Sequence, residues 1–316
     1  MVEATAWSWV AVLAMSLSVL ALGVISPRDS RAVQQVKAPV VEKLQQRVIR
    51  VPTVGPAPAI SVGSAMRQEL GPPPGVVADV APAHVAAAAN RYALLVGVTN
   101  YHAPTHDTIG AANDVQAINT RLLQQGWLAQ NIRVLVDEEA TATAVRSGMA
   151  WLAAASVQGQ TFSLFHYSGH VRQLGGLHAA LWPVDDSFIP DVEVAAALGQ
   201  IRGKAWIDVA GCEAGAFLPG LATRDILVSA SSMATEKSYE YPPWLLSVWS
   251  GLVFKAGIGD AAADADHSGI VTIGEALRYA AYYAQVITYN QQQHGRQTPQ
   301  IAGDPVRGWT LSNPPA

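Results

Sequence analysis

A single cysteine, Cys212, stands in a chain of 316 residues. With no second thiol there is no intrachain disulfide framework, and no structural zinc site built from several thiolates. Charge is sparse as well. Only 14% of the residues are Asp, Glu, Lys or Arg, and 20 basic against 24 acidic side chains leave a net charge of −4. That balance excludes a nucleic-acid binder acting through bulk positive charge, so no nucleic acid is expected as a partner. A hydrophobic content of 50% excludes a wholly disordered chain.

What is present is unevenly spread. From Ala4 to Ser26 the chain reads ATAWSWVAVLAMSLSVLALGVIS without an ionisable residue, which as a helix is long enough to cross a hydrocarbon core of about 30 Å. Residues 1–26 are therefore expected to form a single-pass membrane anchor, with Trp7 and Trp9 at an interface. The competing reading is a signal peptide, but that calls for a positive leading segment and a shorter apolar core, whereas Glu3 precedes this one. Arg28, Arg31 and Lys37 outnumber Asp29 just beyond it, a bias that favours a body on the cytoplasmic side of the membrane, with a periplasmic or extracellular body as the alternative. Residues 27–90 are rich in Pro, Val and Ala and read as a spacer, partly polyproline II. A short helix over Val33 to Arg50 is an option there, interrupted by Pro39.

From Arg91 to Asp304 apolar runs of strand length alternate with segments of helical period, the pattern of a parallel sheet covered on both faces. The strands are expected at 92–98, 132–136, 161–166, 205–209 and 226–230. Helices are expected near 111–125, 141–157 and 191–201, with Gly126 ending the first and Asp191 capping the last. Residues 305–316 form a tail. In such sheets ligands gather at the carboxyl ends of the strands. Two strand ends here carry reactive groups: Tyr167-Ser168-Gly169-His170, and Gly211-Cys212-Glu213-Ala214-Gly215. A thiol and an imidazole on one sheet edge make a nucleophile and base pair, because an adjacent imidazole makes the thiolate accessible at neutral pH. Taken from spacing alone, the same cysteine also fits a small buried hydrophobe, and the histidine a structural role.

The segments RYALLVGVTNY, IGAANDVQAI, HYSGH, LWPVDD, IDVAGCEAG, LVSAS and RQTPQIAGD follow one another between Arg91 and Asp304. In their order and spacing they resemble the caspase-like cysteine peptidases, particularly the metacaspase and orthocaspase group. The resemblance implies a three-layer α/β fold with a mostly parallel central sheet, here preceded by the N-terminal transmembrane helix. It implies His170 as general base, Cys212 as nucleophile and a polypeptide substrate. The backbone N–H groups of Cys212 and Gly169 would hold the oxyanion. An acidic pocket for an Arg or Lys side chain is implied at Asp114 and Ser168, two positions that match the family. At the third, two residues before the nucleophile, this chain has Ala210, and the nearest carboxylate is Asp208, on the same strand face but a layer deeper. Val171 is a second departure, standing where the family carries glycine. His166 is the rival base, read as a packed strand residue, and His102, His106 and His178 receive no role. Arg224 and Lys237 are candidate self-cleavage sites.

Residues 264–275 match a twelve-position EF-hand loop, with oxygen ligands at Asp264, Asp266 and Ser268, glycine at position 6, the carbonyl of Ile270, Thr272 at position 9 and Glu275 at position 12. Calcium is the expected ion. The alternative is a capping box of Thr272 and Glu275 beside a decorated turn. Two functions follow: a membrane-anchored, calcium-binding cysteine endopeptidase, or a catalytically silent caspase-like module that binds partners at the membrane.

Overall fold

The structure, a computed structural model, describes residues 48–49, 86–289, 295–305 and 308–312. The expected anchor, residues 1–26, lies outside the described residues, as does most of the spacer. Among the described residues no helix is long and apolar enough to cross a membrane.

The spacer contributes one element that its composition hid. Val48–Ile49 forms strand β1, extended rather than helical, while the rest of the helix considered over Val33 to Arg50 lies outside the described residues. The body then runs β2 (Arg91–Gly97), α1 (Ala111–Gln124), β3 (Ile132–Val136), α2 (Ala142–Ala154), β4 (Phe162–Ser168) and the strands β5 (Val171–Gly175), β6 (His178–Leu181) and β7 (Ile189–Pro190). It continues through α3 (Asp191–Leu198), β8 (Lys204–Ala210), β9 (Ile226–Ala230), β10 (Glu240–Tyr241) and β11 (Leu246–Ser247). Helix α4 starts at Val248–Ser250 and passes into a π-helical stretch, Gly251–Gly259; α5 (Ile273–Tyr289) and β12 (Gln300–Ala302) complete the order.

Seven strands make the central sheet, in the order β1-β12-β9-β8-β4-β2-β3. The five contiguous strands β9, β8, β4, β2 and β3 are parallel, with β3 at one edge, while β12 and β1 add antiparallel at the other. All five expected strands are there, with β4 and β8 running up to two residues further toward their carboxyl ends. Alternation assigns the two faces. Leu95, Leu164, Trp206 and Leu227 pack with Val115, Ile118 and Leu122 of α1 and with α4 and α5. Leu94, Phe165, Ile207 and Val228 face the other way, onto Val145, Met149 and Leu152 of α2 and Val194 and Leu198 of α3. The result is three layers, each large side chain contributing about 1.5–3 kcal/mol on burial. Gly97 is where α1 meets β2: a Cβ there would lie 2.5 Å from the carbonyl oxygen of Ala111.

Local chemistry sets the helix ends. Thr141 caps α2 by accepting from the Ala144 amide, and Gly126 takes the left-handed conformation (φ 82°) just past α1. Asp191 differs from expectation. It is the first residue of α3, preceded by Pro190, and its carboxylate accepts from His178 Nδ1 at 2.8 Å. The small sheet β5-β6-β7 was not foreseen, because β5 is largely exposed and shows no apolar alternation.

Candidate active site

Register brings the two reactive strand ends together. β4 and β8 are hydrogen-bonded neighbours with Ser168 opposite Ala210. His170 and Cys212 each lie two residues beyond that pair, on strands about 4.8 Å apart. Gly169 permits the turn. Its φ is 153°, and a Cβ would fall 2.7 Å from the Tyr101 hydroxyl oxygen. Gly211 is needed on the other side, where a Cβ would meet the Gly169 carbonyl oxygen and Val171 Cγ2, both at 2.8 Å. The Val171 side chain is thus buried against the core beside Gly211.

Three aromatic side chains that sequence reasoning missed fix His170. Its backbone N–H donates to the Tyr101 hydroxyl at 2.8 Å, and its carbonyl accepts from the Tyr167 hydroxyl at 2.6 Å. The ring lies between Tyr101 and Trp182, with centroids at 4.7 and 5.9 Å. His170 Nε2 is 2.7 Å from the backbone carbonyl of His106. A bond to a carbonyl requires the proton on Nε2, so a neutral His170 keeps its lone pair on Nδ1. His106, given no role from sequence, supplies this contact through its main chain, which no side-chain motif signals. His102 pairs with Glu138 at 3.1 Å, away from the nucleophile.

Cys212 is held by serines that follow β9. The Gly211 amide donates to Ser231 Oγ at 3.0 Å, Ser232 Oγ donates to the Gly211 carbonyl at 3.0 Å, and the Ala214 amide donates to Ser232 Oγ at 3.2 Å. The thiol is half-buried and points at the carbonyl of Ser238, 3.9 Å away, rather than bonding to His170. Burial pushes its pKa up; the bond to Ser238 and the charge of Lys237 work the other way, while Glu213 and Glu240 add to the rise. One expected oxyanion donor is corrected. The Gly169 amide already donates to the Ala210 carbonyl at 3.2 Å, continuing the β4–β8 ladder past its end.

Of the expected pocket residues, Asp114 and Ser168 meet. Ser168 Oγ donates to Asp114 Oδ2 at 2.7 Å, and the Ser247 amide donates to Oδ1 at 3.0 Å, all of it buried. Asp208 is apart from them, a layer deeper and fully buried. It accepts from His166 Nδ1 at 2.8 Å, from Trp249 Nε1 at 2.9 Å and from the Ser229 hydroxyl. His166 is accordingly a packed strand residue. Burial raises the pKa of Asp114 above the ordinary carboxylate value. The folded state therefore holds this proton over a range where the unfolded state has released it, so stability falls as pH rises through that window. Asp114→Asn is expected to remove this slope, as read from urea unfolding measured upward from about pH 4.

At the far end of the chain the carboxylates of Asp264, Asp266 and Glu275 converge, with one oxygen from each all within 4.8 Å of one another. The capping box is formed as well: the Glu275 amide donates to Thr272 Oγ1 at 3.1 Å and the Thr272 amide to Glu275 Oε2 at 2.8 Å. The Ser268 amide is shared between Asp264 and Asp266 at 3.0 Å, and Ser268 Oγ donates to the Ile270 carbonyl at 3.1 Å. Burial raises the Glu275 pKa, while hydrogen bonds to Ser268 lower that of exposed Asp266.

A parallel sheet with a half-buried thiol and an oriented imidazole beyond adjacent strand ends is the frame of a caspase-like domain. Residues 90–240, which include both groups, match the family model described as Caspase domain, so this segment of the chain is similar to caspase domains. It is also similar to the crystal structure of a protein from Geobacter sulfurreducens, at 14% identity and a TM-score of 0.49, over 72% of this chain and 98% of that one. No curated protein matches the chain.

Proposed function

We propose that the chain is a cysteine endopeptidase of the metacaspase-like kind that cuts polypeptides after basic residues. The observation that carries this reading is the placement of His170 and Cys212 beyond the aligned pair Ser168–Ala210, with His170 Nε2 tied to the His106 carbonyl and Nδ1 left with its lone pair. In the reaction, His170 Nδ1 takes the thiol proton, the Cys212 sulfur attacks the peptide carbonyl, and the proton passes to the departing amine. Water then hydrolyses the thioester and frees Cys212. For this the thiol exchanges its contact with Ser238 for one with His170. The Val171 side chain, packed beside Gly211, presents no obstacle. Asp114, joined to Ser168 beneath the strand ends, is the acidic residue that supports the basic preference.

The test is turnover of Arg-, Lys- and Asp-terminated fluorogenic peptides by the full chain and by Cys212→Ala. Turnover of the basic peptides by the wild type alone supports the proposal, and equal signal from both proteins defeats it. The second reading, a silent caspase-like binding module, is favoured by the burial that raises the thiol pKa and by the thiol's contact with Ser238; it is what remains if neither protein cuts.

Calcium belongs to the same proposal. The donor set fits a hard cation: Asp264, Asp266, Ser268, the Ile270 carbonyl, Thr272 and Glu275 would hold it, with Glu275 already presented by its capping box. Bound calcium would neutralise the carboxylate cluster and brace the start of α5. Saturating calcium is expected to raise the melting temperature relative to EGTA, with about 2.7 kcal/mol gained at a hundredfold excess over Kd. Asp264→Asn combined with Asp266→Asn removes the shift. Because burial raises the Glu275 pKa, affinity falls as pH drops through it. A chain that binds no calcium by equilibrium dialysis has a capping box there and nothing more. The uncharged run of residues 4–26 supports membrane anchorage, and the excess of Arg28, Arg31 and Lys37 over Asp29 favours a body on the cytoplasmic side, checked by carbonate extraction of membranes and protease accessibility.

A further inference from the structure

The segment after β9 lies across the nucleophile. It is fastened on both sides, through main chain and side chain: the Glu236 carbonyl accepts from the Glu213 amide at 2.8 Å, the Glu236 carboxylate accepts from the Thr298 amide at 2.6 Å, and the Tyr239 amide donates to Gln297 Oε1 at 2.9 Å. Between these ties the Ser238 carbonyl faces Cys212 Sγ at 3.9 Å, and the preceding side chain, Lys237, puts its Nζ 2.6 Å from Glu213 Oε1. The two members of that ion pair are unequal. The Glu213 side chain, on the residue directly after the nucleophile, is 6% exposed; the Lys237 side chain is 63% exposed. A buried carboxylate of this kind requires a cation, whereas an exposed lysine can be exchanged for another at little cost. Glu213 also lies three residues past Ala210, the position at which the acidic pocket lacks its third member.

We propose that Glu213 receives a basic side chain of the bound polypeptide beside the scissile bond, and that Lys237 fills this subsite as an internal stand-in until the substrate displaces it. The subsite rests on the peptidase reading for its role, and the pair of groups explains how a cleft without an acid at residue 210 selects basic substrates. No bond is made or broken in the exchange. The ammonium of Lys237 turns to solvent while its backbone stays fastened, and a guanidinium or ammonium takes its place.

Cys212 is the chain's only thiol, so its alkylation by iodoacetamide, read by intact mass, reports on this cleft alone. The protectants are two capped alanine tetrapeptides carrying one arginine or one glutamine second from the carboxyl end. In Lys237→Gln the concentration of arginine peptide that half-protects Cys212 is expected to fall roughly fivefold from wild type, with no change for the glutamine peptide. Adding Glu213→Gln returns the arginine peptide to the level of the glutamine peptide, and adding Glu213→Asp instead retains the preference, which separates lost charge from lost structure. Equal protection by both peptides in Lys237→Gln, a preference that survives Glu213→Gln, or a thiol that no variant exposes to iodoacetamide overturns the proposal. Hydrolysis of the peptides appears in the same spectra. Arginine-selective protection without hydrolysis keeps the subsite and removes the peptidase reading, and hydrolysis without selectivity does the reverse.

Discussion

Replacing His170 by alanine is expected to lower kcat/KM on a basic fluorogenic peptide by about 10²–10⁴-fold, the range for loss of a positioned general base. The size follows from the thiol's surroundings. Burial holds the Cys212 pKa up against the Ser238 bond and the charge of Lys237, so without the imidazole little thiolate forms at neutral pH. The fold should not notice. His170 is partly exposed, and its structural bonds, to the Tyr101 and Tyr167 hydroxyls, are made by its backbone. The measurement is therefore a pair: steady-state kinetics, and a urea unfolding curve that overlays the wild type. His166→Ala is the control, since the His166 ring is fully buried with Nδ1 on Asp208 and meets no substrate. If His170→Ala retains turnover while the folded His166→Ala variant loses it, the base has been misassigned.

The second large effect is on stability. Asp208→Ala is expected to cost about 3–5 kcal/mol of unfolding free energy, as when one partner is taken from a buried pair. Three donors converge on this carboxylate from three elements: His166 of β4, Ser229 of β9 and Trp249 of α4. All three are buried, and no water reaches them to take over the lost bonds. Asp208→Asn, which keeps one acceptor oxygen, should recover part of the loss. A denaturant midpoint for Asp208→Ala within the equivalent of about 1 kcal/mol of wild type would mean that the network is slack. Asp208 was expected to lend charge to a substrate pocket; its three partners make it first a clasp between the sheet and α4.

How much was legible depended on how local the cause was. The parallel strands declared themselves as apolar runs such as YALLV and AWIDV, because a strand covered on both faces has no polar side. The four segments β1, β7, β10 and β11 are two residues long and exist through pairing alone, so no window of sequence marks them. The π-helical stretch of α4 was equally invisible: GLVFKAGIG is simply apolar, and its backbone is decided by packing against α1 and α5. At the site the reactive atoms were readable and their holders were not. Cys212 and His170 follow strand ends, where chemistry concentrates, but His106 acts through a carbonyl and Ser238 through another, and every residue type has one. The partnership of Glu213 with Lys237 bridges 24 positions, and only the return of the chain after β9 makes them neighbours.

The sequence by itself determined the layered parallel sheet, the thiol and imidazole at its strand ends, and the carboxylates of residues 264–275, because each depends on residue type and short-range spacing. Tertiary structure decided which groups are free to act. It spent the Gly169 amide on the strand ladder and Asp208 on a buried clasp, tied His170 Nε2 to the His106 carbonyl, and laid Lys237 over Glu213. The reason is physical. A hydrogen-bonding group can be assigned only once its competitors are known, and in this chain they come from strands and loops that meet in space alone.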